Sequence, residues 1–485
     1  MIDQDFVKNC RYVFGRHLFE SEASNTLIGS REANAVSTTV QEGSTPMSGR
    51  AIRLGVVGTG YVGLTTGACF AHIGHHVVCG DIDQRKVDLL NDGQIPIVED
   101  GLEQIVLDAR SEGRLEFVFG AAAAAADADI VFLCVPTPQS EDGSADLSYI
   151  ETAAAQIASV LKPGAVVVNK STVPVGSTLA VEAVLQRDDI FVVSNPEFLR
   201  EGTAVNDFLH PDRVVIGAAN SAAAEKVASL YDSIVTPIII TDPASAETIK
   251  YAANGFLAMK ISFINAVAAM CEAVGADVAA VVEGIGSDKR IGRQFLNPGP
   301  GWGGSCFPKD SRALVKIAED HGYNFSMMKG VVEVNDEQRA RMIDKVAKAV
   351  GRHHSNLSGV TVGAMGLTFK AGTDDLRESP AMAIIAELRS AGAHVRAFDP
   401  TTCGELSPHQ ELTLAGIELT SNLIDIADDA DVICVFTEWP EFAKIDLEDV
   451  AQRAGAGTTV VDMRNLFEPA GVKSAGLGYD GVGRR

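Results

Sequence analysis

The stretch Ala51-Ile52-Arg53-Leu54-Gly55-Val56-Val57-Gly58-Thr59-Gly60-Tyr61-Val62-Gly63 decides the fold. Its first half is a short apolar run of the kind that forms a strand buried on both faces. Its second half is a G-x-G-x-x-G turn that opens a helix. The first glycine allows the tight turn, the second lets a pyrophosphate approach the backbone, and the third lets the helix pack closely on the strand. Asp81 ends the next strand-like run, VVCGDID, near the ~20-residue offset at which a carboxylate meets a ribose. A carboxylate there accepts from both ribose hydroxyls and repels a 2′-phosphate, which favours NAD over NADP. Alone, the glycine pattern is shared with flavin- and other nucleotide-binding folds, and a glycine-rich turn beside a surface aspartate is the plain alternative.

Outward from this turn, DIVFLCV, GAVVVNKS, IFVVSN and VVIG alternate with helical segments up to about residue 245. That alternation is the mark of a parallel, doubly wound sheet. Residues 244 to about 285 carry helical spacing without proline and predict one long helix, placed to join two domains and to form a subunit interface. After about residue 355 the alternation returns in VTVGAMGL, a helix from Pro380, HVRAFDP, DVICVF and TTVVDMRN. DADIVFLCV (127–135) and DADVICVF (429–436) echo each other. The expected fold is α/β, with two Rossmann-like doubly wound domains joined by a long central helix. The expected boundaries are 51–243, 244–354 and 355–485. Residues 1–50 are polar, with little apolar periodicity, and read as a tail that is disordered or loosely attached.

The chain has 485 residues, 46% hydrophobic and 21% charged, a globular composition. No uncharged apolar run reaches the ~18–20 residues that span a bilayer. The first residues lack the features of a signal peptide, so the cytoplasm is the expected compartment and no membrane partner is expected. A formal net charge of −24 argues against nucleic acid, whose phosphates require a basic surface. An anionic ligand would need locally gathered cations, with Lys250, Arg290, Lys370 and Arg464 as candidates. The eight cysteines are scattered without a CxxC pair, so no disulfide framework and no metal site is expected. Cys79, Cys134 and Cys434 lie in strand-like runs and read as core thiols.

The loop Gly301-Trp302-Gly303-Gly304-Ser305-Cys306-Phe307-Pro308-Lys309-Asp310 carries the chemistry. Its glycines expose backbone N–H groups, and one cysteine follows them with a lysine and an aspartate close behind. Nearby positive charge or a helix N-terminus turns such a thiol into a nucleophile, although most free cysteines are buried apolar residues. Lys250 and Asn254, four apart, share a helix face and could present two donors to one developing oxyanion; a solvated lysine beside a packing asparagine is the alternative. Glu197 and Glu201 lie near the loop after IFVVSN, where one could act as a base for water, or both could be exposed loop acids. Thr137 follows a buried strand at its C-terminal end, where open α/β sheets bind ligands.

With GTGYVGL, CVPTP, KSTVPVGST, NPEFLREG, HPDRVVIG, IKYAANGFLAMKISFIN, GIGSDKRIG, GWGGSCFPKD, FKAGTDDLRESP and DMRN in order from residue 51 onward, the chain resembles the UDP-glucose 6-dehydrogenases of the UDP-glucose/GDP-mannose dehydrogenase family. The resemblance implies that Cys306 holds the sugar C6 as thiohemiacetal and then thioester, with two NAD consumed. It implies that Lys250 and Asn254 stabilise the oxygen, that Asp310 helps proton transfer, and that Glu197 and Thr137 handle the hydrolytic water. It places NAD on Gly58, Gly60, Tyr61, Val62, Gly63, Asp81, Lys86, Thr137, Glu201, Lys309 and Arg377. It places the sugar nucleotide, UDP-glucose, on Glu197, Phe198, Leu199, Lys250, Asn254, Arg290, Phe295, Gly303, Phe369, Lys370 and Arg464, with Arg290 supplied by a neighbouring subunit of a homodimer or larger assembly. Capture by cysteine suits this chemistry, because an alcohol loses two hydrides only through an aldehyde that must not escape. GDP-mannose oxidation is the alternative, since FKAGTDDLRESP is also similar to that branch. A 6-phosphogluconate-type dehydrogenase would need neither Cys306 nor residues 355–485, and a non-catalytic sugar-nucleotide sensor would be expected to lack one of Cys306, Lys250 or Glu197.

Overall fold

In the computed structural model the described residues are 39–41, 51–140, 143–404, 406–455 and 457–484. Among them the strands form two sheets. The first contains β1 (Thr39–Gln41), β2 (Arg53–Val57), β3 (His76–Asp81), β4 (Leu115–Phe119), β5 (Ile130–Leu133), β6 (Val166–Asn169), β7 (Phe191–Ser194), β8 (Val214–Ala218) and β9 (Ile238–Thr241), in the order β1-β9-β8-β7-β6-β5-β2-β3-β4. From β4 to β7 every neighbouring pair is parallel, which gives the doubly wound order with its reversal between β2 and β5. The second sheet, β10 (Thr361–Met365), β11 (His394–Phe398), β12 (Glu418–Leu419), β13 (Val432–Val435), β14 (Thr459–Asp462) and β15 (Gly478–Gly481), is parallel throughout in the order β12-β11-β10-β13-β14-β15. The two Rossmann-like units joined by a long helix are thus the architecture the chain adopts. β5, β6 and β13 are buried at every residue, and Cys79 in β3, Cys134 just after β5 and Cys434 in β13 are core thiols.

The same turn begins both units. Gly58 N–H donates to Gly80 O at 2.7 Å, and Gly366 N–H donates to Phe398 O at 2.8 Å. Both glycines have positive φ, +97° and +88°, in the left-handed region that a side chain rarely adopts. A Cβ on Gly58 would lie 2.5 Å from Cys134 O, and one on Gly366 would lie 2.4 Å from Thr437 Cβ. The residue after each glycine donates its N–H to the aspartate ending the second strand: Thr59 to Asp81 at 2.9 Å, Leu367 to Asp399 at 2.7 Å. Past the turn the copies part. The first runs directly into the helix Tyr61–His72, whereas the second continues as an irregular segment until the helix Pro380–Ser390.

The central helix, Pro243–Val274, starts on Asp242, whose carboxylate accepts from Ser245 N–H at 2.8 Å, with Pro243 in the first turn. The expected helix to about residue 285 is broken. Gly275 takes a left-handed conformation (φ 78°) and ends the first helix, and Asp277 caps a second, Val278–Gly286. A glycine and an aspartate two apart were stop and start signals that the apolar spacing overrode. By length and hydropathy the central helix could cross a membrane. Its polar Glu247, Lys250, Asn254 and Asn265 are nevertheless buried inside the protein, while Phe256, Phe263, Met270 and Val274 form an exposed apolar stripe.

Two close backbone approaches bring the units together. A Cβ on Gly202 would lie 2.6 Å from Gly372 O, and one on Gly303 would lie 2.0 Å from Glu378 O. The reading of residues 1–50 as a tail falls outside the described residues, apart from Thr39–Gln41, which pair antiparallel with β9 as an edge strand.

Gly366→Ala combines a left-handed backbone with a steric clash, so we expect it to lower stability by roughly 2–3 kcal/mol. A thermal melt resolves this as a drop of several degrees; an unchanged midpoint would contradict the assignment of this glycine to the turn.

Candidate active site between the two nucleotide folds

The loop after β7, the central helix, the cysteine loop and the start of the second unit meet around a cavity of about 780 Å³. Its lining includes Glu197, Phe198, Leu199, Glu201, Lys250, Asn254, Phe295, Gly303, Cys306, Phe369 and Lys370. Residues from four separate parts of the sequence thereby share one enclosed volume.

Lys250 and Glu197 form a buried ion pair, Nζ to Oε1 at 2.9 Å, with side-chain exposures of 4% and 5%. The ammonium also donates to Glu197 O at 2.7 Å, and Glu197 Oε2 accepts from Leu199 N–H at 2.6 Å. Burial alone would favour a neutral Glu197, but Lys250 outweighs it and holds the carboxyl below its usual range. Burial likewise works against the Lys250 ammonium, and the charges of Glu197, Cys306 and Asp310 reverse it, leaving Lys250 above its usual value. Asn254 does not share a target with Lys250. Its Nδ2 donates to Asp310 Oδ2 at 2.6 Å, and Lys309 Nζ meets Asp310 Oδ1 at 2.5 Å. The two residues lie on one helix face, as their spacing requires, yet each serves a separate carboxylate. The solvated-lysine reading is excluded by burial.

Cys306 is the N-cap residue of the helix Phe307–Asp320, where the helix dipole favours a thiolate. Its Sγ lies 3.5 Å from Ser305 Oγ. Burial, aided by Glu197 and Asp310, nevertheless keeps the thiol above its usual range in this state, with Lys250 and Lys309 pulling the other way. Phe295, packed edge-on to Phe307, has φ 61°, a strained conformation for an aromatic residue and one that collects at ligand clamps.

The second unit reaches this cavity through its irregular segment. Glu201 accepts from Ser305 Oγ at 2.8 Å, from Thr373 Oγ1 at 3.5 Å and from Arg377 at 3.4 Å, while Arg377 pairs with Asp375 at 2.7 Å. Burial, and then the adjacent charge of Asp375, push Glu201 up to about 7. Lys370 stands 5.8 Å from the centre of the Phe369 ring. Arg464, beyond β14, donates to Phe436 O at 2.7 Å and Phe369 O at 2.9 Å, tying together the strand ends at the second sheet's reversal point.

Asp310, Lys309 and Arg377 do not line the cavity themselves but are tied to it through Asn254 and Glu201, and Thr137, Arg290 and Arg464 stand apart from it. Thr137, three residues beyond the Cys134 carbonyl that abuts Gly58, gives its hydroxyl to Thr172 O at 2.9 Å and does not line the space shared by Cys306 and Glu197. Arg290 is 88% exposed and paired with Asp288 at 2.6 Å. Arg464 holds backbone rather than facing the cavity. Conversely, the cavity contains Lys170 and Arg213, which sequence reasoning did not single out. Arg213 stacks 3.5 Å from the centre of the Phe198 ring. Both lie in motifs that carry the family resemblance, KSTVPVGST and HPDRVVIG; Lys170 directly follows a strand end, a position that could have marked it.

Sequence models of the UDP-glucose/GDP-mannose dehydrogenase family match the chain over 52–235 (NAD binding domain), 244–337 (central domain) and 363–469 (UDP binding domain). The chain belongs to this family. It is 43% identical over 437 residues to UDP-glucose 6-dehydrogenase TuaD of Bacillus subtilis (strain 168), covering 89% of this chain and 93% of the relative. It is 43% identical over 443 residues to a UDP-glucose 6-dehydrogenase of Rhizobium meliloti (strain 1021), covering 89% of this chain and 100% of the relative. A solved UDP-glucose dehydrogenase from Pyrobaculum islandicum is similar in structure, with a TM-score of 0.83, 35% identity, and coverage of 91% of this chain and 100% of the other.

The family's cofactor is NAD, and the first unit fits it. Gly60 is exposed and a Cβ there would meet nothing within 4 Å, leaving open backbone where a pyrophosphate would lie. A Cβ on Gly63 would lie 1.9 Å from Gly58 O, so the helix start can approach the turn only without a side chain. Asp81 is held below its usual carboxylate range. Burial opposes this, but Thr59, whose hydroxyl donates at 2.6 Å, the Asp83 N–H and Lys86 at 3.2 Å prevail. An anion at the end of β3 is the group that would receive ribose hydroxyls and repel a 2′-phosphate.

Asp81→Ala should raise the NAD dissociation constant about tenfold and narrow the preference over NADP, as read by titration with both dinucleotides. Equal affinity of the unchanged protein for NAD and NADP would remove Asp81 from this role. A second expectation concerns pH. Because the folded state holds the Glu201 proton up to about 7, Glu201 stabilises the fold at acidic pH, and that contribution is lost as pH rises from about 4.5 through about 7. Glu201→Gln should therefore melt a few degrees above the unchanged protein at pH 8 and close to it at pH 5; the opposite ordering would refute the raised value.

Proposed function

We propose that the chain oxidises UDP-glucose to UDP-glucuronate in two NAD-dependent steps while holding the sugar C6 on Cys306. The observation that carries this reading is one cavity lined by Cys306 at the start of a helix, by the Lys250–Glu197 ion pair and by Asn254, which is hydrogen-bonded to the Asp310–Lys309 pair. NAD bound at the first unit supplies the hydride acceptor, one molecule for each oxidation. Lys250 and Asn254 stabilise negative charge on the C6 oxygen, and Asp310 passes a proton from the alcohol. Cys306 Sγ adds to the aldehyde carbon while the thiol proton passes to the C6 oxygen, so the intermediate stays attached; the second hydride then leaves that carbon as the oxygen gives up its proton. The resulting thioester is opened by water: the water oxygen bonds to C6, its proton passes toward Glu197, and the C–S bond breaks with the electron pair on sulfur. Phe198, Leu199, Phe295, Gly303, Phe369 and Lys370 shape the sugar and diphosphate site, and the second unit takes the uridine.

The exposed stripe of Phe256, Phe263, Met270 and Val274, and Arg290 standing away from the cavity, support a homodimer in which Arg290 completes the partner's site. The site of action in this reading is the cytoplasm. Thr137, outside the cavity that holds Cys306 and Glu197, fits contact with NAD better than handling of water.

The test is NADH production from UDP-glucose beside a panel of UDP- and GDP-sugars. UDP-glucose should give the highest kcat/KM; a higher value with GDP-mannose would move the chain to the other branch. Cys306→Ser should lose steady-state turnover by about a thousandfold or more. Glu197→Gln should release a burst of two NADH per site and then stall, with the adduct on Cys306 visible by mass spectrometry. No burst and an unmodified Cys306 would remove Glu197 from the hydrolytic step.

A further inference from the structure

Lys170 directly follows β6, at the floor of the cavity, and is 5% exposed. A buried ammonium is costly unless something compensates for its lost hydration. Among the described residues its hydrogen bonds go to neutral acceptors, Asn195 Oδ1 at 3.1 Å and Tyr231 OH at 3.3 Å, and no carboxylate pairs with it directly. Those two acceptors are tied to each other, Tyr231 OH donating to Asn195 Oδ1 at 2.7 Å, and Asn195 Nδ2 anchors on Val215 O at 2.8 Å. Asn195 opens the turn Asn195-Pro196-Glu197, so the lysine grips the segment two residues before the carboxylate. The charged and titratable groups acting on Lys170 come from three elements: Cys134 after β5, Glu197 after β7, and Lys250 on the central helix. Burial draws Lys170 down to about 8, with Cys134 and Glu197 opposing and Lys250 adding to the fall. Glu197 thus lies in the field of the buried Lys250 and Lys170 and of the half-buried Arg213, with the Cys306 thiol also facing it, and only Lys250 among the cations touches it.

We propose that Lys170 is a positioning residue for the hydrolytic step: from behind the Asn195-Pro196-Glu197 turn, its ammonium keeps the Glu197 carboxylate ionised and correctly placed while water opens the thioester on Cys306. This rests on the function proposed above. A lysine that merely braced β6 against the next strand could be replaced without altering the ionisation of Glu197. A lysine acting through charge could not, because in a dry cavity each cation near a carboxylate lowers the pH at which it ionises.

The experiment compares Lys170→Met, Lys170→Arg and Asn195→Asp with the unchanged full-length protein, following NADH from UDP-glucose between about pH 4 and 9 by steady-state and rapid-mixing absorbance. In Lys170→Met the acidic limb of the kcat profile should move up by about one pH unit, because Glu197 has lost one of its cations. Turnover at the acid end of this range should fall several-fold, with the two-NADH burst retained and the Cys306 adduct accumulating. Lys170→Arg should keep the limb within a few tenths of a unit. Asn195→Asp, which places a neutralising carboxylate on Lys170, should shift it in the same direction as Lys170→Met, and it decides the matter if circular dichroism shows that Lys170→Met has not folded. An unmoved acidic limb in the folded variants, or equal loss of burst and steady-state rate, would overturn the proposal. Absence of NADH in the unchanged protein would instead overturn the function on which it rests.

Discussion

The site depends on one buried ion pair. Lys250 belongs to the central helix and Glu197 to the loop after β7, and their union is made where both side chains have lost nearly all contact with water. Such a pair contributes little net stability, since desolvation consumes most of the Coulombic gain, but removing either partner would strand a charge in the interior at a cost of about 3–5 kcal/mol. The arrangement therefore acts as a register mark. It fixes the rotation of the helix relative to the first sheet, and with it the depth at which Asn254, one turn further along, meets Asp310. Asp310 in turn stands in the first turn of the helix that Cys306 caps. The position of the sulfur is thus inherited from a salt bridge several side chains away.

Bare backbone sets the other constraint. The cysteine loop and the NPEFLREG loop both come against the second unit at glycines, Gly303 against Glu378 O and Gly202 against Gly372 O. Even a methyl group at either place would push the surfaces apart. The two units lie this close only because Gly202 and Gly303 carry no side chain, so the glycines of these loops serve domain contact as much as any anion. The electrostatics follow from the same closeness. Glu201 is raised because Asp375, from the other unit, shares its dry surroundings, with Arg377 bridging both.

The strands, the reversal points and the glycine turn were legible in the sequence because each is local: an apolar run, a period, a turn with a required φ. The break at Gly275 was equally local and was lost only because a long apolar helical pattern outweighed a single C-cap signal. Much of the site was legible through motifs, as the shared cavity of Glu197, Lys250, Asn254 and Cys306 attests. What motifs could not supply was the pairing. Spacing puts Lys250 and Asn254 on one face but does not say that they answer to different carboxylates, one 53 and the other 56 residues away in the chain. Nor does it say that Thr137 spends its hydroxyl on Thr172, or that Lys170 holds the Asn195 side chain two residues before Glu197. Those facts arise from the crossing of segments remote in sequence.

The two copies of the glycine turn lead into different structures. In the first unit a helix begins at once, and the ligand-facing groups stay within that unit. In the second, residues 367–379 leave the sheet as an irregular span and carry Phe369, Lys370, Thr373 and Arg377 across to the cavity and to Glu201. A span that belongs to one nucleotide fold and borders the other makes the two occupancies thermodynamically reciprocal. Whatever a ligand in the second fold contributes to ordering this span is returned, in equal free energy, to the affinity of the first. An affinity measured for one ligand is then to be read beside its value with the other bound, since the difference between them measures how far this span joins the two folds.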